Sequence, residues 1–166
     1  MMRSKWFAAF AVLAMLGACE DDDDGTSPQI ENFTATLSGA AERPTPVVTT
    51  ATGTATFSVV GPTLLYRIDV ADIDSVTQAH IHAPGDTGAS VGVRVDLCSS
   101  GPTPPCATTT PNPFTGVLIS GATINVTGGF PFDSLLVWMR TGRAYVNVHT
   151  TPFGAGEIRG QIVPAP

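Results

Sequence analysis

The chain reads as one all-β domain of about eight short antiparallel strands, a sandwich or barrel with a single short helix or turn. Three observations predict it. Apolar and polar residues alternate over short runs, the period-2 signature of half-buried strands. Gly, Pro, Asn and Asp punctuate those runs at short intervals. Thr, Val, Ala, Gly and Pro dominate, and long runs rich in Glu, Lys and Leu are missing.

The strands follow in order. Over 30–37, Phe33, Ala35 and Leu37 share one face and Thr34 and Thr36 the other. A loop with two prolines follows, and alternation resumes over 53–60, ending at Gly61-Pro62. Strand 63–70 sets Leu64, Tyr66, Ile68 and Val70 against Leu65, Arg67 and Asp69. Strand 76–82 stops at Ala83-Pro84-Gly85-Asp86, and 91–98 is the fifth. Segments 115–119 and 122–126 read as one bent strand or as a pair around Ser120-Gly121. The helix or turn falls at 134–141, with Leu135, Val137, Trp138 and Met139 apolar; strands at 144–149 and 157–163 close the chain.

Three domains of composition are expected: a signal peptide at 1–18, a lipid-bearing tether at 19–31 and a globular domain at 32–166. Arg3 and Lys5 precede an apolar stretch of eleven residues, 6–16. A bilayer core of ~30 Å needs about 20 such residues, so the stretch fits a signal core rather than a span. Leu16-Gly17-Ala18-Cys19 resembles the lipobox of bacterial lipoproteins. That resemblance implies acylation of Cys19, cleavage before it, and anchoring to the lipid bilayer of a cell envelope, on its periplasmic or outer side. Acyl chains hold at ~0.8 kcal/mol per buried methylene. Glu20 and Asp21 to Asp24 carry five of the fourteen carboxylates and read as a solvated spacer.

Charge excludes nucleic acid as a partner. The formal net charge is −6, and Lys5 is the only lysine, whereas phosphate binding needs clustered cations. From Asn32 onward eight acids face six arginines, so the domain itself is nearly balanced. If Cys19 carries lipid, Cys98 and Cys106 remain. They bracket a Pro/Gly loop, and an exported location permits a disulfide between them.

Three segments stand out together: AHIHAPGDTG (79–88), AYVNVHT (144–150) and GEIRGQIVP (156–164). With 37–57 and LLYRIDV (64–70), this ordered set resembles the CHRD domain, first named in chordin and common in bacterial secreted proteins. The likeness spans roughly 33–163. It departs at Ala41-Glu42-Arg43-Pro44-Thr45-Pro46, where the family's Asn-Glu-Val-Pro-Pro stretch stands, and at Ala89-Ser90-Val91. The resemblance implies a fold and little chemistry, and chordin's growth-factor antagonism is not carried over. HIHAPGDTG is also similar, locally, to the copper-ligand strand of copper-zinc superoxide dismutases, which implies a dismutase-like Greek-key barrel.

The chain's three histidines, His80, His82 and His149, all lie in the signature segments. Residues i and i+2 of a strand share a face, so His80 and His82 stand side by side with Ile81 turned away. His149 shares its face with Asn147 and Tyr145. Two readings stay open. In one, the imidazoles bond to backbone or to Glu42 and Glu157 and fix strand register. In the other, they converge on Cu or Zn, with Asp86 as an added ligand across a turn. Dismutase activity is excluded, because a bridged metal pair needs about six histidines.

Other chemistry lacks support. There is no nucleophile elbow and no phosphate-cradling Gly loop. Asp69, Asp72 and Asp74 read as a solvated turn rather than a calcium loop. Arg140 and Arg143 are expected to pair with Asp133 or Glu157, and Glu157 with Arg159 at a surface or edge. The leading expectation is a noncatalytic, envelope-anchored CHRD lipoprotein, a binding or scaffold module for an unidentified protein or small ligand. Its rival is a copper- or zinc-binding envelope protein using His80, His82 and His149.

Overall fold

The structure is a computed structural model that describes residues 30–99, 105–106, 114–123 and 125–166. The expected signal peptide, Cys19 and nearly all of the tether lie outside those residues.

Among the described residues nine strands form one sheet: β1 (Glu31–Ser38), β2 (Thr52–Val60), β3 (Thr63–Ile73), β4 (Val76–His82), β5 (Val93–Cys98), β6 (Phe114–Thr123), β7 (Tyr145–Thr150), β8 (Ile158–Gln161) and β9 (Val163–Pro164). A 3-10 turn (Gly39–Ala41) follows β1, and one helix, α1 (Phe132–Arg140), precedes β7. The order across the sheet is β5-β4-β7-β8-β1-β2-β3-β6, with β9 added to β1, and all pairs are antiparallel. The chain builds β1-β2-β3 as neighbours, then crosses to the other half for β4, the Greek-key crossover the sequence implied. Asp72 and Ser75 take positive φ, 56° and 49°, at that crossing. Across the remaining seam, Thr127 past β6 donates its N–H to the Arg94 carbonyl (2.7 Å) and its hydroxyl to that of Val93 (3.0 Å). The Tyr66 hydroxyl on β3 donates to the Leu97 carbonyl (3.2 Å). The sheet is thus a nearly closed barrel.

The inner face is what the alternation predicts. Phe33, Ala35, Leu37, Phe57, Leu64, Ile68, Ile81, Val95, Val146 and Val148 are all buried. Such a side chain contributes roughly 1.5–3 kcal/mol on burial. Three details sharpen or alter the expectation. Of the two readings for 115–119 and 122–126, one strand holds: β6 runs over Phe114–Thr123, and its pairing with β3 slips in register past Ile68. The expected strand 157–163 breaks into β8 and β9, because Ile162 turns into the core and donates its N–H to the Ala144 carbonyl (2.9 Å). On α1 the buried stripe is Leu135, Leu136 and Met139, at helical spacing, and Val137 faces outward. Asp133 in its first turn and Arg140 in its last complement the helix dipole. Cys98 and Cys106 are joined by a disulfide with Cα atoms 4.9 Å apart, as their loop suggested.

Candidate metal centre

On β4 and β7 the register sets His80 opposite Asn147, Gln78 opposite His149 and His82 opposite Tyr145. Ala79, Ile81, Val146 and Val148 point into the barrel. The alternate residues therefore point outward, where the polar face of an antiparallel sheet ordinarily meets water. Here it does not. His80 and His149 are 8% exposed, Asn147 4%, Tyr145 2% and, on β8, Arg159 2%. Three loops roof this face: 39–47, 83–92 and 151–157. The buried polar groups of the sheet tie the roof down. Arg159 donates to the carbonyls of Asp86 (2.8 Å) and Ala89 (2.7 Å), and Gln161 to those of Gly85 (2.7 Å) and Gly142 (2.6 Å). Asn147 donates to both oxygens of Glu42 (3.1 and 3.0 Å).

Inside this layer the three histidines come together. His82 Nδ1 lies 2.7 Å from the Val91 carbonyl, and His149 Nδ1 3.1 Å from that of Gly154. A carbonyl only accepts, so both Nδ1 atoms carry the proton and both Nε2 atoms present a lone pair. His80 is turned the other way: its Nε2 faces Asp96 Oδ1 at 3.6 Å, and its Nδ1 stands 3.1 Å from His149 Nε2. One ring nitrogen from each histidine lies within 4.8 Å of the other two. Without an ion, His80 Nδ1–H donates to His149 Nε2. To hold an ion, His80 would have to offer Nδ1 as a lone pair and carry its proton on Nε2, the nitrogen that faces Asp96.

This arrangement suits a metal for three reasons. His82 and His149 each have a carbonyl acceptor for the remote nitrogen, the outer support that metal-bound histidines use to fix ring and tautomer, and His80 turns its remote nitrogen toward Asp96, at 3.6 Å and beyond hydrogen-bond reach. His82 Nε2 is buried and has no hydrogen-bond partner, an omission an ion would repair. Ligands at about 2.0–2.1 Å from one ion stand about 3.4 Å apart, close to the spacing of the His80–His149 pair. Burial, the largest influence, holds all three rings below the usual histidine range, His80 down at about 4, with repulsion from His149 adding for His80 and His82. They stay neutral and able to ligate at ordinary pH.

His82 and His149 bond to carbonyls, as the structural reading held, and His80 bonds to His149; none of the three bonds to Glu42 or Glu157. Asp86 is no ligand: its carboxylate is exposed and accepts the Gly88 N–H (2.9 Å). Among the described residues the only group placed for a metal is the three histidines. Asp69 pairs with Arg67 (2.6 Å) and Asp74 accepts the Ser75 hydroxyl (2.7 Å), so the acidic trio is not assembled. Arg140 pairs with Glu31, 2.6 Å from Nε to Oε2, rather than with Asp133 or Glu157.

The expected surface pair of Glu157 and Arg159 is the largest correction. Both are buried, and neither serves the other. Glu157 accepts hydroxyls from Thr49 and Thr150, each at 2.7 Å. Arg159 covers the ring of Tyr145, with Cζ 3.4 Å from the centroid, and His82 stacks on Tyr145 at 4.9 Å and 1°. Glu42, expected beside the histidines, takes Asn147 as its partner instead; it is 3% exposed and pushed up to about 7 by burial, against the pull of Arg159 and Asn147. The signal was there for Arg159. Its strand carries it to the same outer face as the histidines, two positions from Gln161, in a domain with few charges.

No curated protein and no solved structure matches the chain. The CHRD domain family does, over residues 33–162, and those bounds take in β2 to β8, most of β1, the roofing loops and all three histidines: the chain belongs to the CHRD domain family.

Proposed function

We propose that this CHRD domain is a noncatalytic, envelope-anchored metal-binding module that holds one Cu(II) or Zn(II) ion on His80, His82 and His149. The observation that carries the reading is the clustering of three neutral imidazole nitrogens within 4.8 Å of one another, two of them on rings whose far nitrogen is already held by a carbonyl. Three nitrogen ligands with an open fourth position suit copper and zinc alike. A lipid on Cys19 and the acidic spacer would hold the site outside the cytoplasm, close to a bilayer. A scaffold for an unidentified protein remains the second reading, and the 39–47 and 151–157 loops, which line a cleft of about 390 Å³, are the feature that favours it.

Titration of residues 25–166 with Cu(II) and Zn(II), followed by elemental analysis, tests the proposal. One ion per chain is expected, with affinity falling more than about 100-fold in His82→Ala while the fold survives. Absence of binding at micromolar metal sinks the metal reading and leaves the histidines as partners of the roof. Mass analysis of the mature N-terminus, with Cys19→Ala as control, tests the anchor.

A further inference from the structure

The GEIRGQ segment contributes none of the three histidines, yet its arginine ties the 83–92 loop to Tyr145 in the polar layer. Arg159 lies opposite Asn147 in the β7–β8 register, and Gln161 opposite Tyr145. One end of its guanidinium (Nη1) donates to Ala89 and the other (Nη2) to Asp86, both in the 83–92 loop, while its plane lies against Tyr145. Tyr145 in turn stacks on His82, and its hydroxyl accepts the Val91 N–H at 3.1 Å. The Val91 carbonyl is the group that takes the His82 Nδ1 proton. Arg159 thus reaches His82 by two routes, one through the loop to Val91 and one through the ring of Tyr145.

We propose that Arg159 is a positioning residue for the metal centre: by pinning the 83–92 loop and Tyr145 together, it fixes the Val91 carbonyl and so holds His82 in the tautomer and orientation that present Nε2 to an ion. The inference rests on the metal reading above. It gives the GEIRGQ segment a chemical role and explains why arginine stands there. A lysine would bring one point charge. It could not fork to two carbonyls while lying flat on an aromatic ring.

The test uses the full chain in detergent, with Arg159→Met and Arg159→Lys as variants and Leu136→Ala on α1 as a destabilised control remote from the centre. Two quantities are read: affinity for Cu(II) and Zn(II) ions, and the ring-nitrogen NMR signals of His82 in the metal-free protein. The wild type should show a single Nδ1–H tautomer. Both Arg159 variants should show mixed tautomers and bind the ions about 10–100-fold more weakly, the usual effect of removing an outer-support residue. Leu136→Ala should unfold more easily yet keep both the tautomer and the affinity. An unchanged tautomer in Arg159→Lys, or an affinity no weaker than that of the control, overturns the inference. If the wild type binds neither ion, the metal proposal fails, and the His82 signals alone decide whether Arg159 positions that ring.

Discussion

The two halves of the barrel use the same alternation to opposite ends. β1, β2 and β3 turn Thr36, Thr54, Thr56 and Arg67 outward, and these side chains are exposed. β4, β7 and β8 turn His80, Asn147, His149 and Arg159 outward, and these are buried beneath loops. On the open half, an outward residue needs only to be soluble and to suit a strand. On the roofed half, every outward polar group must find a partner or forfeit the solvation it has lost. Glu157 and Arg159 meet that requirement through named hydrogen bonds, and Asn147 and Gln161 meet it through their amide N–H groups, while their side-chain oxygens stay buried without a partner. The roofed half is therefore where side chains are held rigidly enough to serve as ligands, and where substitutions should be most damaging.

Glu157→Ala should show the largest effect. Thr49 and Thr150 both donate to its carboxylate, and Thr150 is fully buried. Removing the acceptor strands both hydroxyls and leaves a void. A loss of about 2–4 kcal/mol in urea unfolding is expected. A loss below about 1 kcal/mol would mean that water reaches this layer and that the roof is looser than its hydrogen bonds suggest.

The pH dependence of Glu42 sharpens the same point. Burial raises its carboxyl to about 7, above its ordinary value of 4.5. A raised carboxyl stabilises the fold fully below the unfolded value, and that stability is lost as pH rises through 4.5 to about 7. The whole shift corresponds to about 3 kcal/mol; solvent screening at the cleft reduces this to an expected 1–2 kcal/mol, roughly. The histidines pull the other way, since their lowered values remove stability as pH falls below 6.5. Comparison of Glu42→Gln with wild type isolates the carboxyl. The variant should be more stable at pH 8 and equal at pH 4, by thermal unfolding. Equal stability at both would show that Glu42 ionises freely.

Much of this was legible in the residues. Alternation placed β1 to β5 and β7 within a few positions, because inward Phe, Leu, Ile and Val leave a period-2 trace that local chemistry alone produces. The same rule set His80 beside His82, and the position of His149 on a neighbouring strand completed the cluster. The roof was not legible. Alternation says which side of a strand a residue takes, not what lies over that side, and the covering loops come from distant stretches of chain. Arg159 and Glu157 were therefore read as a surface pair. Gly160 between Arg159 and Gln161 was equally silent: a Cβ there would meet the Thr36 carbonyl, with the carbonyl carbon at 2.7 Å. Only the close approach of β1 and β8 gives that glycine a reason.

Thr56→Ala, on the open half, should have the smallest effect. Thr56 is exposed on β2, between Thr34 of β1 and Arg67 of β3. Replacing it removes some β-propensity and a few cross-strand contacts while stranding no buried group. A change within about 0.5 kcal/mol is expected in urea unfolding, with metal affinity unaltered. The value of so small an effect lies in its contrast with Glu157→Ala. A loss above about 1 kcal/mol, or a shift in metal affinity, would show that the open face is covered in solution, by a second copy or by a partner. The division of the barrel into a solvated half and a roofed, ligand-bearing half would then have to be redrawn.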